Sequence, residues 1–260
     1  MKKNILILAG AMLTVNLSVF SQNETREQQA AKTEVWKPVP PIITPSDKSG
    51  GAPSDAIILF NGDSLNEWVS SKDTTKPAAW TISGDVFMVN KPAGNIQTKR
   101  SFNDYQLHVE WRIPKNITGS GQGRGNSGIF LGGWGAGDGG YEIQVLDSYK
   151  NETYVNGQAG SIYKQQIPLV NVNRPPGEWN VYDIVWTAPR FNDDGSLKSP
   201  GRVTAFLNGA LVQNNAEVKG DTRWIGKPEY HKHGALPVKL QSHGDPSEPI
   251  SFRNIWIRPL

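Results

Sequence analysis

Between Gly125 and Ser148 the chain reads GNSGIFLGGWGAGDGGYEIQVLDS, and the side chains in it that can do chemistry are Asn126, Glu142, Gln144 and Asp147. Tyr141, Ile143 and Val145 alternate with Glu142 and Gln144, the two-residue period of a strand with one apolar and one polar face. A carboxyl group and an amide therefore project side by side. The first can move a proton or ligate a metal, and the second can orient a hydroxyl without adding charge. The glycines from Gly132 to Gly140 lack side chains, so the connection can take up positive φ and admit a ligand to its backbone. Trp134, a large aromatic alone among them, is placed as a platform for the apolar face of a sugar ring. The same residues also describe a surface hairpin with a solvated outer face.

His243 closes the stretch VKLQSH beside Gly244 and is the strongest single candidate for proton transfer, because the ordinary imidazole pKa lies near working pH. Gln241, two residues before it, can hold a hydroxyl. In YQLHVEWRI, Leu107, Val109, Trp111 and Ile113 form one face, while Gln106, His108, Glu110 and Arg112 form the other. That ionisable row can pair with itself across the sheet surface. Glu110 joins a site if its strand lies next to the one bearing Glu142 and Gln144.

Glu142 with Glu110 or with Asp147 offers the two facing carboxylates of a conventional glycosidase. Asp147 either orients His243 or begins the next turn. Lys164, after GSIY, and Arg253, in FRNIW, are fixed positive groups suited to an oxyanion, with a structural ion pair as the other reading of Arg253. Glu110, Glu142, Asp147 and His243 could also ligate a divalent cation such as Ca, although no compact spacing of the HExxH type is present and the metal stays open. His231 and His233 fall in a loop and flank a Pro-rich turn.

The elements that must position these residues read as short strands. Candidates run from Trp80 to Ser83, Val86 to Asn90, Tyr105 to Ile113, Ser127 to Leu131, Tyr141 to Leu146, Trp179 to Trp186, Arg202 to Leu207, Ala210 to Gln213, Val238 to Gln241 and Ile250 to Arg258, with a shorter one at AIILF. Turn residues separate them, and Asn208-Gly209 is a type I′ hairpin signal. No helical periodicity longer than two turns occurs after residue 56. An all-β antiparallel sandwich follows, with a closed barrel as the second choice. Trp68, Trp80, Trp111, Trp179, Trp186 and Trp256 fall in strand settings and are expected to pack between sheets. Trp224, in DTRWIGKPEY, stands in a loop and is a second sugar-platform candidate.

Residues 1–21 have a Lys-Lys start, an apolar run and small polar residues, the layout of a signal peptide. Removing Lys2 and Lys3 from the 27 basic residues leaves 25 against 24 acidic, and no Lys/Arg cluster argues for nucleic acid. The chain has no cysteine, which excludes a lipid-modified bacterial N-terminus, disulfides and thiol catalysis. Export to the periplasm or medium is expected, with no membrane anchor after signal removal. Residues 22–54 contain a polar, helix-compatible run, NETREQQAAK, and then a Pro/Gly/Ser-rich stretch expected to be a mobile linker. One folded domain is expected over 55–260.

The ordered series LFNGDSLNEW, YQLHVEWRI, GNSGIF, YEIQVLDS, GSIY and LQSHGDPSEPISFRNIWIRPL resembles the 3-keto-disaccharide hydrolase domain family over essentially the whole folded part. The resemblance implies a concanavalin A-like jelly roll of two curved antiparallel sheets with a carbohydrate on the concave face. It also implies extracytoplasmic action on glycosides whose sugar carries a 3-keto group, installed by a separate sugar 3-dehydrogenase. A 3-keto sugar can be cleaved by abstraction of the acidified C2 hydrogen, loss of the leaving group from C1 and hydration. Such chemistry asks for a base, a proton donor and a stabiliser of the enolate oxygen. Two other readings remain: a carbohydrate-binding module without catalysis, and a conventional two-carboxylate glycosidase.

Overall fold

The computed structural model describes residues 24–260; the expected signal peptide lies outside the described residues. The chain divides after Ile42. In the first part, Thr25 caps helix α1 (Arg26–Ala31) through a reciprocal box with Gln28, which satisfies two helix-end donors. The domain proper runs from Ile43 to Leu260. None of the described helices is long and apolar enough to cross a membrane.

Fifteen strands are assigned among the described residues. They are β1 (Ile57–Phe60), β2 (Trp68–Ser70), β3 (Thr81–Ser83), β4 (Val86–Met88), β5 (Ile96–Thr98), β6 (Tyr105–Arg112), β7 (Ser127–Trp134) and β8 (Gly139–Val145), then β9 (Trp179–Thr187), β10 (Arg190–Phe191), β11 (Leu197–Ser199), β12 (Arg202–Leu207), β13 (Ala210–Glu217), β14 (Lys239–Leu240) and β15 (Ser251–Pro259). An eight-stranded sheet has the order β13-β12-β9-β6-β15-β4-β3, with β1 also pairing β15. A five-stranded sheet has the order β2-β5-β14-β7-β8. The chain passes from the first sheet at β6 to the second at β7 and β8 and back at β9, so the expected jelly-roll sandwich forms. Asn208 and Gly209 both have positive φ, at 52° and 81°, and close the β12–β13 hairpin as a type I′ turn requires.

The alternation read from the sequence decides which face of each strand is inside. Leu107, Val109 and Trp111 of β6 and Tyr141, Ile143 and Val145 of β8 are all at most 1 % exposed and meet between the sheets. Trp68, Trp80 and Trp186 join them, with Trp80 stacked on Phe252 at 6.0 Å. Trp179 and Trp256 do not. Trp179 lies on the outer face of the eight-stranded sheet under Arg253 at 4.1 Å and Arg112 at 4.6 Å. Trp256 stacks on His108 at 5.3 Å, and its indole nitrogen donates to Gly50 O at 2.9 Å.

That last bond corrects the expected linker. Residues from Ile43 onward belong to the domain, and Asn254 Nδ2 also donates to Gly50 O at 2.9 Å. Beneath this segment His108 gives Nδ1 to Asp183 at 2.7 Å, and Arg253 and Asn254 bind the two oxygens of Glu110 at 2.6 and 2.8 Å. Burial opposes the imidazolium, but the bonds to Asp183 and Glu110 outweigh it and raise the His108 pKa to about 9. Burial likewise opposes ionisation of Glu110, and His108, Asn254 and Arg253 bring it down to about 2.

A raised histidine pKa contributes stability below its unfolded value and loses it as pH rises through the folded one. Wild-type unfolding free energy should therefore carry a His108-dependent part, on the order of 3 kcal/mol, that disappears as pH climbs from about 6.5 through 9. Denaturant titrations across that window should show a gap between wild type and His108→Gln that closes at the alkaline end; a gap that does not vary with pH contradicts the assignment.

Candidate active site

On the outer face of the five-stranded sheet, Glu142 stands across from Phe130 and Gln144 across from Gly128. Lys239 also stands across from Phe130, and Gln241 continues the β14 backbone by donating to Gly128 O. Glu142, Gln144 and Gln241 floor a cavity of about 590 Å³. Its walls come from the loop after β6 (Gln122, Gly123, Asn126), the β7–β8 turn (Asp138), the segment after β8 (Tyr154, Tyr163), the loop before β14 (Thr222, Trp224) and the loop after it (His243, Asp245, Pro246).

Glu142 is 4 % exposed. It fits because position 128 is glycine: a Cβ there would lie 2.9 Å from the carboxyl carbon and nearer still to Oε1. Among the described residues nothing hydrogen-bonds its carboxyl group; its backbone N–H donates to Thr222 Oγ1 at 3.0 Å and its carbonyl accepts from Tyr163 N at 3.2 Å. Burial, and then the negative charge of Asp138, push its pKa well above the ordinary carboxylate value. Both effects favour the neutral, protonated form of this carboxyl group, which faces the cavity.

His243 is held differently. Nδ1 lies 2.9 Å from Asp245 Oδ2 and 3.2 Å from Asp245 N; the carboxylate, the nearer of the two, can only accept, and Asn126 Nδ2, 3.5 Å from Nε2, can only donate, so these two contacts favour the tautomer with the proton on Nδ1 and Nε2 towards Asn126. Asp245 is fixed in turn by Ser247 N at 2.9 Å and by Lys91, whose Nζ binds its backbone oxygen at 2.5 Å. Burial opposes ionisation of Asp245, but its bonds to His243 and Ser247 bring its pKa down to about 2, so it is a carboxylate at any working pH.

The amides form a second group. Gln144 Nε2 donates to Gln122 Oε1 at 3.1 Å, and Asn126 Nδ2 donates to Gln122 O at 2.8 Å. The Oε1 atoms of Gln144 and Gln241 are buried and unpaired. Buried acceptors of this kind are costly unless a ligand hydroxyl pairs them. Tyr154 and Tyr163 share a hydroxyl–hydroxyl bond of 2.6 Å at the same wall.

Of the expected residues, Glu142, Gln144, Asn126, Gln241 and His243 thus share one cavity, and five do not line it. Asp147 is buried with Oδ2 on Arg124 Nε at 2.6 Å and Oδ1 on Tyr149 N at 3.1 Å; it begins the turn, and Asp245 is the residue that orients His243. Glu110 and Arg253 lie on the outer face of the other sheet, because β6 pairs with β9 and β15 and not with β8. Lys164 gives its Nζ to Trp224 O at 2.7 Å. Trp134 is turned away by a bulge. Leu131 and Gly132 stand opposite Tyr141 alone, which shifts the alternation by one residue and packs Trp134 against Tyr141 at 5.6 Å. With Glu110 and Asp147 held elsewhere, the four groups named as cation ligands do not converge, and no cluster of three such residues occurs among the described residues.

Sequence reasoning missed Asp245, Gln122, Asp138, Tyr154 and Tyr163. Two carried a local signal: Asp245 lies two residues after His243 in SHGDPS, and Tyr163 ends GSIY just before Lys164.

The glycine at position 128 yields a prediction. Gly128→Ala should fold, since no positive φ is needed there, yet displace the Glu142 carboxyl. Glu142→Gln should be more stable than wild type at pH 8 by roughly 1–3 kcal/mol, because the wild type must then hold a proton or bury a charge. The gap should close at about pH 3, where both folded and unfolded carboxyls are protonated. Thermal melts at the two pH values check this, and equal melting differences at both would contradict a buried neutral acid.

Residues 55–258 match the family described as the 3-keto-alpha-glucoside-1,2-lyase-like domain. A search of functionally curated proteins finds no match. Among solved structures, a "putative glycosyl hydrolase" from Parabacteroides distasonis is 57 % identical, with a TM-score of 0.81 over 88 % of this chain and 96 % of that one. Two further proteins of the same description and organism share the fold at 20 % and 22 % identity, with TM-scores of 0.57 and 0.55. They cover 82 % and 79 % of this chain and 95 % and 99 % of theirs. By the extent of the domain match, this chain belongs to the 3-keto-alpha-glucoside-1,2-lyase-like family.

Proposed function

We propose that the protein cleaves 3-keto-glycosides by elimination and hydration. The observation that carries this is the presence, in one cavity, of a buried carboxyl group whose protonated form is favoured, Glu142, and an imidazole held on a carboxylate, His243 on Asp245. A reaction that takes a proton from carbon and gives one to oxygen needs that asymmetry.

In this reading His243 Nε2 takes the C2 hydrogen, which the adjacent ketone has acidified. The C2–H electrons form the enolate, which collapses to a C1–C2 double bond as the C1–O bond breaks. Glu142 gives its proton to the departing oxygen. Water then adds its oxygen to C1 and a proton returns to C2, restoring the 3-keto sugar. The cavity lining includes no Lys or Arg, so the enolate oxygen would be met by neutral donors, for which Asn126, Gln241 and the Tyr154–Tyr163 pair are the available groups. The ketone is supplied by a separate sugar 3-dehydrogenase. The signal-like residues 1–21 support action in the periplasm or outside the cell.

A second reading rests on Asp138, which shares the cavity and contributes to the raised pKa of Glu142. With Glu142 as acid and Asp138 as base or nucleophile, an unoxidised glycoside could be hydrolysed directly.

Purified protein should release the leaving group from 3-keto-glucosides and not from the matched glucosides. Glu142→Gln and His243→Ala should each lose on the order of 10²-fold or more in kcat. In D2O the recovered 3-keto sugar should carry one deuterium at C2. Cleavage of the unoxidised glucoside without deuterium at C2 would establish the Asp138 reading instead, and binding without turnover of either would mean a carbohydrate-binding module. In the keto-dependent case the alkaline limb of kcat/KM should fall at lower pH in Asp138→Asn, because removing that negative charge eases ionisation of Glu142.

A further inference from the structure

Trp224 is 73 % exposed, yet it lines the cavity whose floor residue Glu142 is 4 % exposed. An exposed tryptophan on a slack loop would mean little. This loop is tied on both sides of it. Arg223 Nε donates to Asp221 Oδ1 at 3.0 Å, and its terminal nitrogen to Glu229 Oε2 at 3.1 Å. Asp221 Oδ1 also accepts Glu229 N at 2.8 Å, which closes the loop at its base. Lys164 Nζ holds the carbonyl of Trp224 itself at 2.7 Å, and Gln165 Nε2 holds Gly220 O at 3.0 Å. Five side chains thus restrain the loop beneath an indole that is mostly exposed.

The cavity is also divided by chemistry. Its floor carries the buried groups that a proton transfer and a set of sugar hydroxyls require: Glu142, Gln144 and Gln241. Its rim carries Trp224 and the half-exposed Tyr154. A sugar that reaches Glu142 is the deep ring, so a substituent on its C1 oxygen leads from the floor towards the rim. We propose that Trp224 is the platform for the leaving group, and that this one residue sets the preference for leaving groups with a flat or pyranose ring over small alcohols. This rests on the reading that Glu142 and His243 act at the glycosidic bond. A ring stacked on the indole contributes without charge or directional hydrogen bonds, so an aryl group and a second sugar share the same chemistry.

The test needs neither turnover nor a ketone. Calorimetric titration of the full chain with phenyl α-D-glucopyranoside, maltose and methyl α-D-glucopyranoside should give tighter binding for the two ring-bearing probes. Trp224→Ala should weaken those two by roughly three- to tenfold and leave the methyl glycoside unchanged, while Trp224→Phe restores most of the preference. If phenyl glucoside alone responds, the platform takes aryl leaving groups; if maltose alone does, it takes sugars. Equal affinity for all three in wild type, a preference that survives in Trp224→Ala, or binding of none would overturn the proposal. With 3-keto forms of the same compounds, the ring effect should fall in KM and not in kcat. A protein that shows the Trp224-dependent preference but cleaves no 3-keto-glycoside would refute the catalytic reading and leave this one. Cleavage with an unaltered ring preference in Trp224→Ala would refute only this one.

Discussion

A carboxyl group held out of water with no hydrogen-bond partner is expensive, and the arrangement of the five-stranded sheet follows from where that expense is tolerated. Glu142 lies over Gly128, with its protonation favoured by burial and by Asp138. The opposite faces of the same strands hold Tyr141, Ile143 and Val145 in the inter-sheet core, so the register cannot slip without driving the acid into that core. The geometry of the floor is therefore fixed by packing that involves none of the floor residues. The loops contribute the groups that need hydrogen-bond direction: His243, Asp245, Asn126 and Gln122.

The β7–β8 turn shows how a loop without a core of its own is kept in place. Lys239 is wholly buried, and its Nζ lies 2.7 to 3.2 Å from the carbonyls of Trp134, Gly135, Gly137 and Gly139, four acceptors sharing its three protons. Glycine at 133 leaves room for the stem of this lysine, since a Cβ there would lie 2.9 Å from it. Burial lowers the Lys239 pKa to about 8, partly countered by Asp138. Asn95 secures the tip by donating to Asp138 Oδ1 at 3.0 Å. The glycines that suggested backbone open to a ligand thus serve to turn their carbonyls towards an internal cation.

Most of the fold is legible from period-two alternation and turn residues, because both are local. β12 runs over the expected residues, and β6, β9 and β15 lie within one residue of expectation at each end. The short β2 and β5 lack alternation long enough to register. Partner choice between sheets is not local. Glu110 and Glu142 sit in strands of similar pattern, and only the path of the chain puts one on each outer surface. A bulge is similarly hidden: one extra residue at Leu131–Gly132 reverses the side on which Trp134 lies.

Asp147 and Asp245 carry the same lesson into the chemistry. Both are buried aspartates beginning a turn, each accepting from the backbone two residues on. What separates them is the group at the second oxygen. Arg124 is permanently charged, so Asp147 sits in an ion pair that serves only to hold the loop carrying Asn126. His243 can gain or lose a proton, so the carboxylate of Asp245 selects which ring nitrogen is left towards the cavity. Because no Lys or Arg among the described residues lines that cavity, charge that develops on a bound sugar would be spread over neutral amides and hydroxyls or cancelled by a proton moving between His243 and Glu142. The site is thereby better suited to a reaction in which proton loss and proton gain are coupled than to one that must stabilise a free ion.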